Sequence, residues 1–303
     1  MKKALALILT ASLLTGVLTA CGSSEAQTDA AETTTEEAAA EETAAEETAD
    51  TDAQAETGDL QVITVAATAV PHAEILEAAK PILAEQGYDL QVTVFDDYVQ
   101  PNEVVEAGDI DCNYFQHIPY LNSYNEERGT HLVSVGEIHY EPIGIYAGTE
   151  SDLSNISDGA DIAIPNDTTN EARALLILQD NGIITLKEGA GIDATINDIA
   201  ENPHNINFVE MEAAQVSKVL SEVAFAVING NYALDAGLNA QTDALASETS
   251  DSLAAQTYVN VVVVKEGNED NEGVKALVDV LKSDDIKKFI EETYEGAVVP
   301  FEG

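Results

Sequence analysis

Two short stretches concentrate the residue types that could hold or transform a small molecule. "PNDTTNEARALL", residues 165–176, sets Asn166, Asp167, Thr168, Thr169 and Asn170 ahead of Arg173. All five suit a helix N-cap. That puts Arg173 in or near a first helical turn, where free backbone N–H groups and the helix dipole favour an anion. A guanidinium there offers a planar fork matched to a carboxylate. Arg173 is one of only two arginines, the other being Arg128, so its placement carries information. The competing role is a surface pair with Glu171 or another nearby acid. The second stretch, "DCNYFQHIPYL", residues 111–121, gathers Tyr114, Phe115, His117 and Tyr120 around Pro119.

The chemistry these residues suggest is recognition. His117 has no evident nucleophile beside it in sequence, and no G-x-S-x-G, P-loop or C-x-x-C occurs, so the chain does not read as an enzyme. Five histidines (72, 117, 131, 139 and 204) are scattered, without H-E-x-x-H or a histidine-rich loop. No metal or cofactor is therefore expected. A nucleic-acid partner is excluded by charge. The chain has 12 Lys and Arg against 56 Asp and Glu, a formal net charge of −44, and phosphate neutralisation needs clustered cations.

Elements must bring these stretches together. "LQVITVAATAV" is β-branched and apolar. "HAEILEAAKPILAEQG" places Ile75, Ala78, Ala79, Ile82 and Leu83 on one helical face, with Pro81 as a possible kink and Gly87 as a stop. "YDLQVTVF" is a second strand. The unit is β-α-β, which calls for parallel strands and a right-handed crossover. Strand, loop and helix recur in "ADIAIPNDTTNEARALLILQDNG", "INFVEMEAAQVSKVL" and "EVAFAVINGNYALDAG". "YVNVVVVKEG" is a later strand, followed by helices near 272–282 and 284–292.

This alternation fits two α/β lobes or one large sheet. The extended "HYEPIGIYAG", residues 139–148, divides two such series and favours two lobes: about 60–140 plus the C-terminal part, and about 145–258. Ligands in open α/β sheets sit beyond strand carboxyl ends. "ATAVPH", "FDDYVQPN", "IPNDTTN" and "VINGN" fall there. So does the aromatic stretch, if 112–115 is a strand and 119–128 a helix ending at Gly129. Tyr98, Phe115, His117 and Tyr120 then form a ligand wall, while Phe95, Tyr114 and Tyr124 cover the core.

The ends give an address. "MKKALALILTASLLTGVLTAC" has two lysines, an apolar run and small residues before Cys21, a signal peptide over residues 1–20. Leu18, Thr19 and Ala20 before Cys21 resemble a lipobox, implying lipid on the Cys21 sulfur and anchorage to the outer face of the cell membrane. Stable anchoring takes more than one acyl chain. Residues 22–58 lack Lys, Arg and aromatics, so 21–59 reads as a lipidated cysteine and a disordered acidic linker. Cys112, the other cysteine, is expected as a buried small hydrophobe.

"FDDYVQPNEVVEAGDIDCNYFQHIPYL", "IAIPNDTTNEARALLILQDNGIITLKEG", "ENPHNINFVEMEAAQ", "VINGNYALDAGL" and "YVNVVVVKEG" together resemble the NlpA family of lipoproteins, and within it the methionine-binding members of bacterial ABC importers. The resemblance runs from about residue 60 to the end. It implies a two-lobed periplasmic-binding-protein-like (type II) α/β fold with mixed, largely parallel sheets and a hinge between lobes. It also implies capture of methionine, in the L or the D form, for a permease and its ATPase. The alternatives are a methionine-containing dipeptide or another small amino acid on the same fold, and, further off, a metal-binding importer component. Carried onto matching positions, the pocket uses Tyr98, Phe115, His117, Tyr120, Arg173, Asn229 and Asn260, with His117 as a hydrogen-bonding contact. Thr168 stands where the family pattern has proline.

Overall fold

The computed structural model describes residues 60–249 and 253–302; the expected signal peptide, the lipidated Cys21 and the linker to residue 59 lie outside them. β1 (Gln61–Ala67) and β2 (Tyr88–Val94) pair in parallel across α1 (Glu74–Glu85). Ile75, Leu76, Ala79 and Leu83 are the buried stripe of α1, at helical spacing. Pro81 sits on the exposed face, where the carbonyl it leaves without a helical partner faces water. The chain continues through α2 (Gln100–Ala107), β3 (Cys112–His117), α3 (Ile118–Arg128) and β4 (Leu132–Tyr140).

It then builds a second sheet. The elements are β5 (Gly144–Ala147), β6 (Asp161–Pro165), α4 (Thr168–Asp180), the short pair β7 (Thr185–Leu186) and β8 (Ile199–Glu201), β9 (Asn207–Met211), α5 (Ala213–Val216), β10 (Phe225–Ile228), α6 (Gly230–Asp235) and β11 (Ala244–Ser247). After α7 (Leu253–Thr257) it returns to the first sheet with β12 (Val259–Lys265), α8 (Glu272–Leu281), α9 (Asp284–Tyr294) and β13 (Val299–Pro300).

The strand orders are β13-β4-β12-β3-β1-β2 and β11-β5-β10-β6-β9. In the first, β1, β2 and β3 are parallel, and β4 shares their direction because β12 is antiparallel to both β3 and β4. In the second, only β5 opposes the rest. The fold is α/β and two-lobed, with two mixed, largely parallel sheets. Each sheet has its own core. Ile63, Val65, Val262 and Val264 meet α1, α8 and α9 through Leu76, Leu277 and Ile290. Ile145, Ile162, Ile164, Phe225 and Val227 meet α4 through Leu175 and Leu178. A fully buried side chain of this kind contributes roughly 1.5–3 kcal/mol. Cys112 is wholly buried in the first core.

Three local readings change. β3 runs through His117, two residues past its expected end, because β12 pairs with it as far as Asn260 opposite His117. β4 was not expected as a strand: its central residues are only half-buried, so its apolar pattern is weak. Arg173 lies in the second turn of α4, too deep for the anion site at the helix start. Asp167 caps that helix instead, accepting from the Asn170 N–H at 3.1 Å.

Candidate functional site

Two chain crossings join the sheets: Glu141–Ile143 between β4 and β5, and the segment from Glu248 to Tyr258 between β11 and β12. Beside them, the carboxyl ends of β3, β6 and β10 and the start of β12 converge on a small cavity. Its lining includes all seven residues picked from sequence: Tyr98, Phe115, His117, Tyr120, Arg173, Asn229 and Asn260. Gln116, Glu141, Asn170, Gly230 and Asn231 also line it and were not anticipated.

One wall is aromatic. Tyr98 lies 5.8 Å from Phe115, 5.6 Å from Tyr120 and 5.0 Å from Tyr232 between ring centroids. These spacings suit edge and tilted contacts. The wall is also pinned by polar handles. The Tyr98 hydroxyl donates to Asn231 Oδ1 at 2.6 Å, and the Tyr120 hydroxyl donates to the Tyr98 carbonyl at 3.0 Å. Phe115 is 3% exposed and Tyr120 is buried, while Tyr98 is half-buried.

The opposite end is charged. Arg173 is buried, and its Nε donates to both oxygens of Glu248 at 3.0 and 3.2 Å. Its Nη2 donates to Glu248 Oε2 and to the Glu141 carbonyl. Its guanidinium also stacks 4.3 Å from the Tyr258 ring centroid. Burial opposes its charge, but the Glu248 carboxylate and its hydrogen bonds outweigh that and hold the Arg173 pKa above its ordinary value. Of the competing pairings with Glu171 or another acid, the one with Glu171 does not occur, and the acid that Arg173 meets is Glu248; Glu171 Oε1 instead accepts from the Ile196 N–H. Nη1 has no hydrogen-bond partner among the described residues. Only the Nη1 end of the guanidinium is thus left open, since Nη2 is shared between Glu248 and the Glu141 carbonyl.

His117 takes a different part from the one expected. Its Nδ1 accepts from the Tyr120 N–H at 3.1 Å, capping α3, and its Nε2 faces Asn170 Oδ1 at 3.0 Å. Both nitrogens are engaged by the protein, so the ring can offer a ligand its face but neither a base nor a free donor. Burial, and then the neighbouring Arg173, pushes its pKa down to about 3, leaving it neutral with the proton on Nε2. Asn170 Oδ1 also accepts from Asn229 Nδ2 at 2.7 Å. This fixes the Asn229 amide with its Oδ1 buried and without a partner. A buried acceptor of that kind costs free energy unless something donates to it.

Glu141 is the second acid. It is 5% exposed and flanked by two histidines, His139 Nε2 at 2.7 Å and His72 Nε2 at 3.3 Å, both on Oε1. Burial raises its pKa, while His72 and Arg173 pull the other way. His72, His139 and Glu141 bring three possible metal-ligating atoms within 4.8 Å, a constellation that the scattered histidines hid in the sequence. Every one of those atoms already has a hydrogen-bonding neighbour.

Gly230 lets Glu141 approach. A Cβ at Gly230 would lie 2.7 Å from the Glu141 Cβ and 3.2 Å from the Pro142 carbonyl. Alanine would favour helix α6 by about 1 kcal/mol, but the contacts are to backbone and a branch point that cannot swing away. Overpacking of this kind costs about 1–3 kcal/mol. Gly230→Ala should therefore destabilise the protein, seen as a lower urea midpoint. A midpoint that rises would show that the crossing yields freely.

The family model described as NlpA lipoprotein matches residues 63–302. The methionine-binding lipoprotein MetQ of Bacillus subtilis (strain 168) is 41% identical over 250 residues, 81% of this chain and 90% of that one. The crystal structure of a Ruminococcus gnavus ATCC 29149 protein is 67% identical, with a TM-score of 0.79 over 80% of this chain and 100% of that one. A nutrient-binding protein from Burkholderia cenocepacia, solved bound to methionine, is 42% identical, with a TM-score of 0.74 over 78% of this chain and 99% of that one.

Proposed function

Since the chain belongs to the NlpA lipoprotein family, we propose that it is the substrate-binding lipoprotein of an ABC importer and that it captures methionine in the cavity between its sheets. One observation carries the reading: a buried guanidinium and a buried carboxylate face the same small cavity, opposite an aromatic wall. A zwitterion needs both charges, and a thioether needs the wall. The ligand carboxylate accepts from the open Nη1 end of Arg173. The ammonium donates to Glu141 and to the orphaned Asn229 Oδ1. The thioether packs on Tyr98, Phe115 and Tyr120, where sulfur–ring contacts contribute about 0.3–1.5 kcal/mol each.

No proton transfer is required anywhere, in keeping with a carrier. The lobes, about 60–140 plus the C-terminal part and about 145–258, close about the two crossings. Cys21 holds the protein to the outer face of the membrane, and the closed form hands its ligand to a permease and ATPase.

Calorimetry with methionine, methioninamide, glycine and a methionine dipeptide tests this. Methionine should bind with at least about tenfold preference over glycine, since a missing apolar side chain forfeits roughly 1.5–3 kcal/mol. Methioninamide should bind poorly. Equal affinity for methionine and its amide would remove the carboxylate from Arg173. A dipeptide that outcompetes methionine would reassign the ligand.

A further inference from the structure

The cavity accounts for one oxygen of Glu141 and leaves the other side of that carboxylate unexplained. Behind it lies a chain of groups of which only Asn260 also lines the cavity. Thr68 Oγ1 and His72 Nδ1 are 2.8 Å apart, and His72 Nε2 is 3.0 Å from Asn260 Oδ1 as well as 3.3 Å from Glu141 Oε1. His139 Nε2 is 2.7 Å from the same Oε1, and its Nδ1 meets the Tyr114 hydroxyl. His72 and His139 are 1% and 0% exposed. They come from far-apart places in the chain, the turn before α1 and the end of β4.

Each partner fixes a tautomer. Asn260 Oδ1 can only accept, so His72 carries its proton on Nε2 and takes the Thr68 hydroxyl proton on Nδ1. Tyr114 can donate to His139 Nδ1, leaving His139 Nε2–H to point at Glu141. Burial drives the His72 pKa down to about 4 and that of His139 to about 3, so each ring presents one N–H and no charge. His139 alone therefore donates to Glu141 Oε1, while the single N–H of His72 goes to Asn260 Oδ1 and its Nε2 only lies beside that carboxylate oxygen, 3.3 Å away. A neutral donor holds a carboxylate in place without cancelling its charge, which a lysine or arginine there would do.

We propose that His139 is a positioning residue that clamps Oε1 of Glu141 through a neutral N–H, with His72 packed beside it and tied to Asn260, so that the Glu141 charge stays directed at the ligand ammonium, making His139 a determinant of selectivity for ligands with a free α-amine. This rests on the reading of Glu141 as an ammonium acceptor. Asn260 ties the clamp to the pocket: it is opposite His117 on one side and His139 on the other in the strand register, and lines the cavity itself.

The test compares methionine with its desamino analogue, 4-(methylsulfanyl)butanoate, which keeps the carboxylate and thioether but has no ammonium. In the full chain, His139→Leu should weaken methionine about tenfold to a hundredfold, the effect of losing one charge-assisted hydrogen bond. It should weaken the analogue less than about threefold, and that retained binding shows the variant is folded. His139→Gln, whose amide can place an N–H where Nε2 sits, should recover methionine binding to within about threefold. His72→Leu is the control: it removes no hydrogen bond to Glu141 and should not discriminate between the two ligands. Equal losses for both ligands in His139→Leu, or no rescue by His139→Gln, overturn the proposal. So does zinc binding in the wild type that disappears in the histidine variants, since the trio would then be a metal centre. Glu141→Gln separates the layers. If it leaves methionine binding unchanged, the acceptor reading itself fails. If it loses methionine selectively while His139→Leu does not, only the clamp fails.

Discussion

Arg173→Ala is expected to weaken methionine binding by about 2–5 kcal/mol, a factor of roughly thirty to several thousand. Two losses add in the same direction. The ligand carboxylate loses its cationic partner, and Glu248 is left as a buried acid. Glu248 Oε2 would keep only the Tyr140 hydroxyl and the Ile143 N–H at 3.1 Å. Breaking a buried pair by removing one member costs about 3–5 kcal/mol of stability. The variant should therefore melt early as well as bind poorly. Lysine should not rescue it, because one ammonium cannot span Glu248, the Glu141 carbonyl and a ligand at once. Calorimetry together with a urea melt checks both arms. Near-wild-type affinity in a folded Arg173→Ala would place the ligand carboxylate elsewhere.

Acidification should destabilise the fold through its buried histidines. His72, His117 and His139 have folded pKa values lowered from 6.5 to about 4, about 3 and about 3. The unfolded chain therefore binds protons that the folded one refuses, and stability falls as pH drops below about 6.5. At pH 5 the cost is about 2 kcal/mol per histidine, roughly 6 kcal/mol for three. Glu141 acts oppositely. Its folded pKa is raised, so the folded state gains from protonation as pH falls and returns part of that loss. Denaturant melts at pH 7 and 5 should show a net loss of several kcal/mol. His117→Gln should lose about 2 kcal/mol less over the same interval. If its loss equals that of the wild type, His117 is not held neutral by the fold.

The sequence made some of this legible for physical reasons. Tyr98, Phe115 and His117 fall on a loop and a strand end, with Tyr120 and Arg173 in the early turns of helices that follow strands, and strand ends are where open sheets build pockets. Asn229 and Asn260 needed a family resemblance, because an asparagine beside a glycine, as at Asn229, reads equally well as a turn, and Asn260 is a lone polar residue in an apolar strand. Glu141 and Glu248 were not seen at all. In a chain with 56 acids, one more in an extended crossing has no distinguishing mark. Glu248 lies 75 positions from Arg173, so no helical or hairpin spacing announces the pair. His72 and His139 were counted as scattered because only the tertiary fold sets them beside Glu141. The engaged nitrogens of His117 could not be read either, since a cap and a ligand contact call for the same residue at the same place.

β12 lies between β3 and β4 and is antiparallel to both. Those two strands follow one another in the chain, yet they never pair. Their shared neighbour begins at Val259, more than a hundred residues after β4 ends. The two lobes consequently mature on different schedules. The sheet from β5 to β11 is closed within one continuous stretch and can assemble as soon as that stretch emerges. The first sheet has a slot that stays empty until nearly the whole polypeptide is available, with two strand edges unpaired in the interval. Such long-range closure is slow and exposes surfaces prone to mispairing. A product truncated before residue 259 would contain one complete sheet and one with a gap, and the gap would remove Asn260 from the pocket floor. Completion of the binding cavity is thereby tied to completion of the chain.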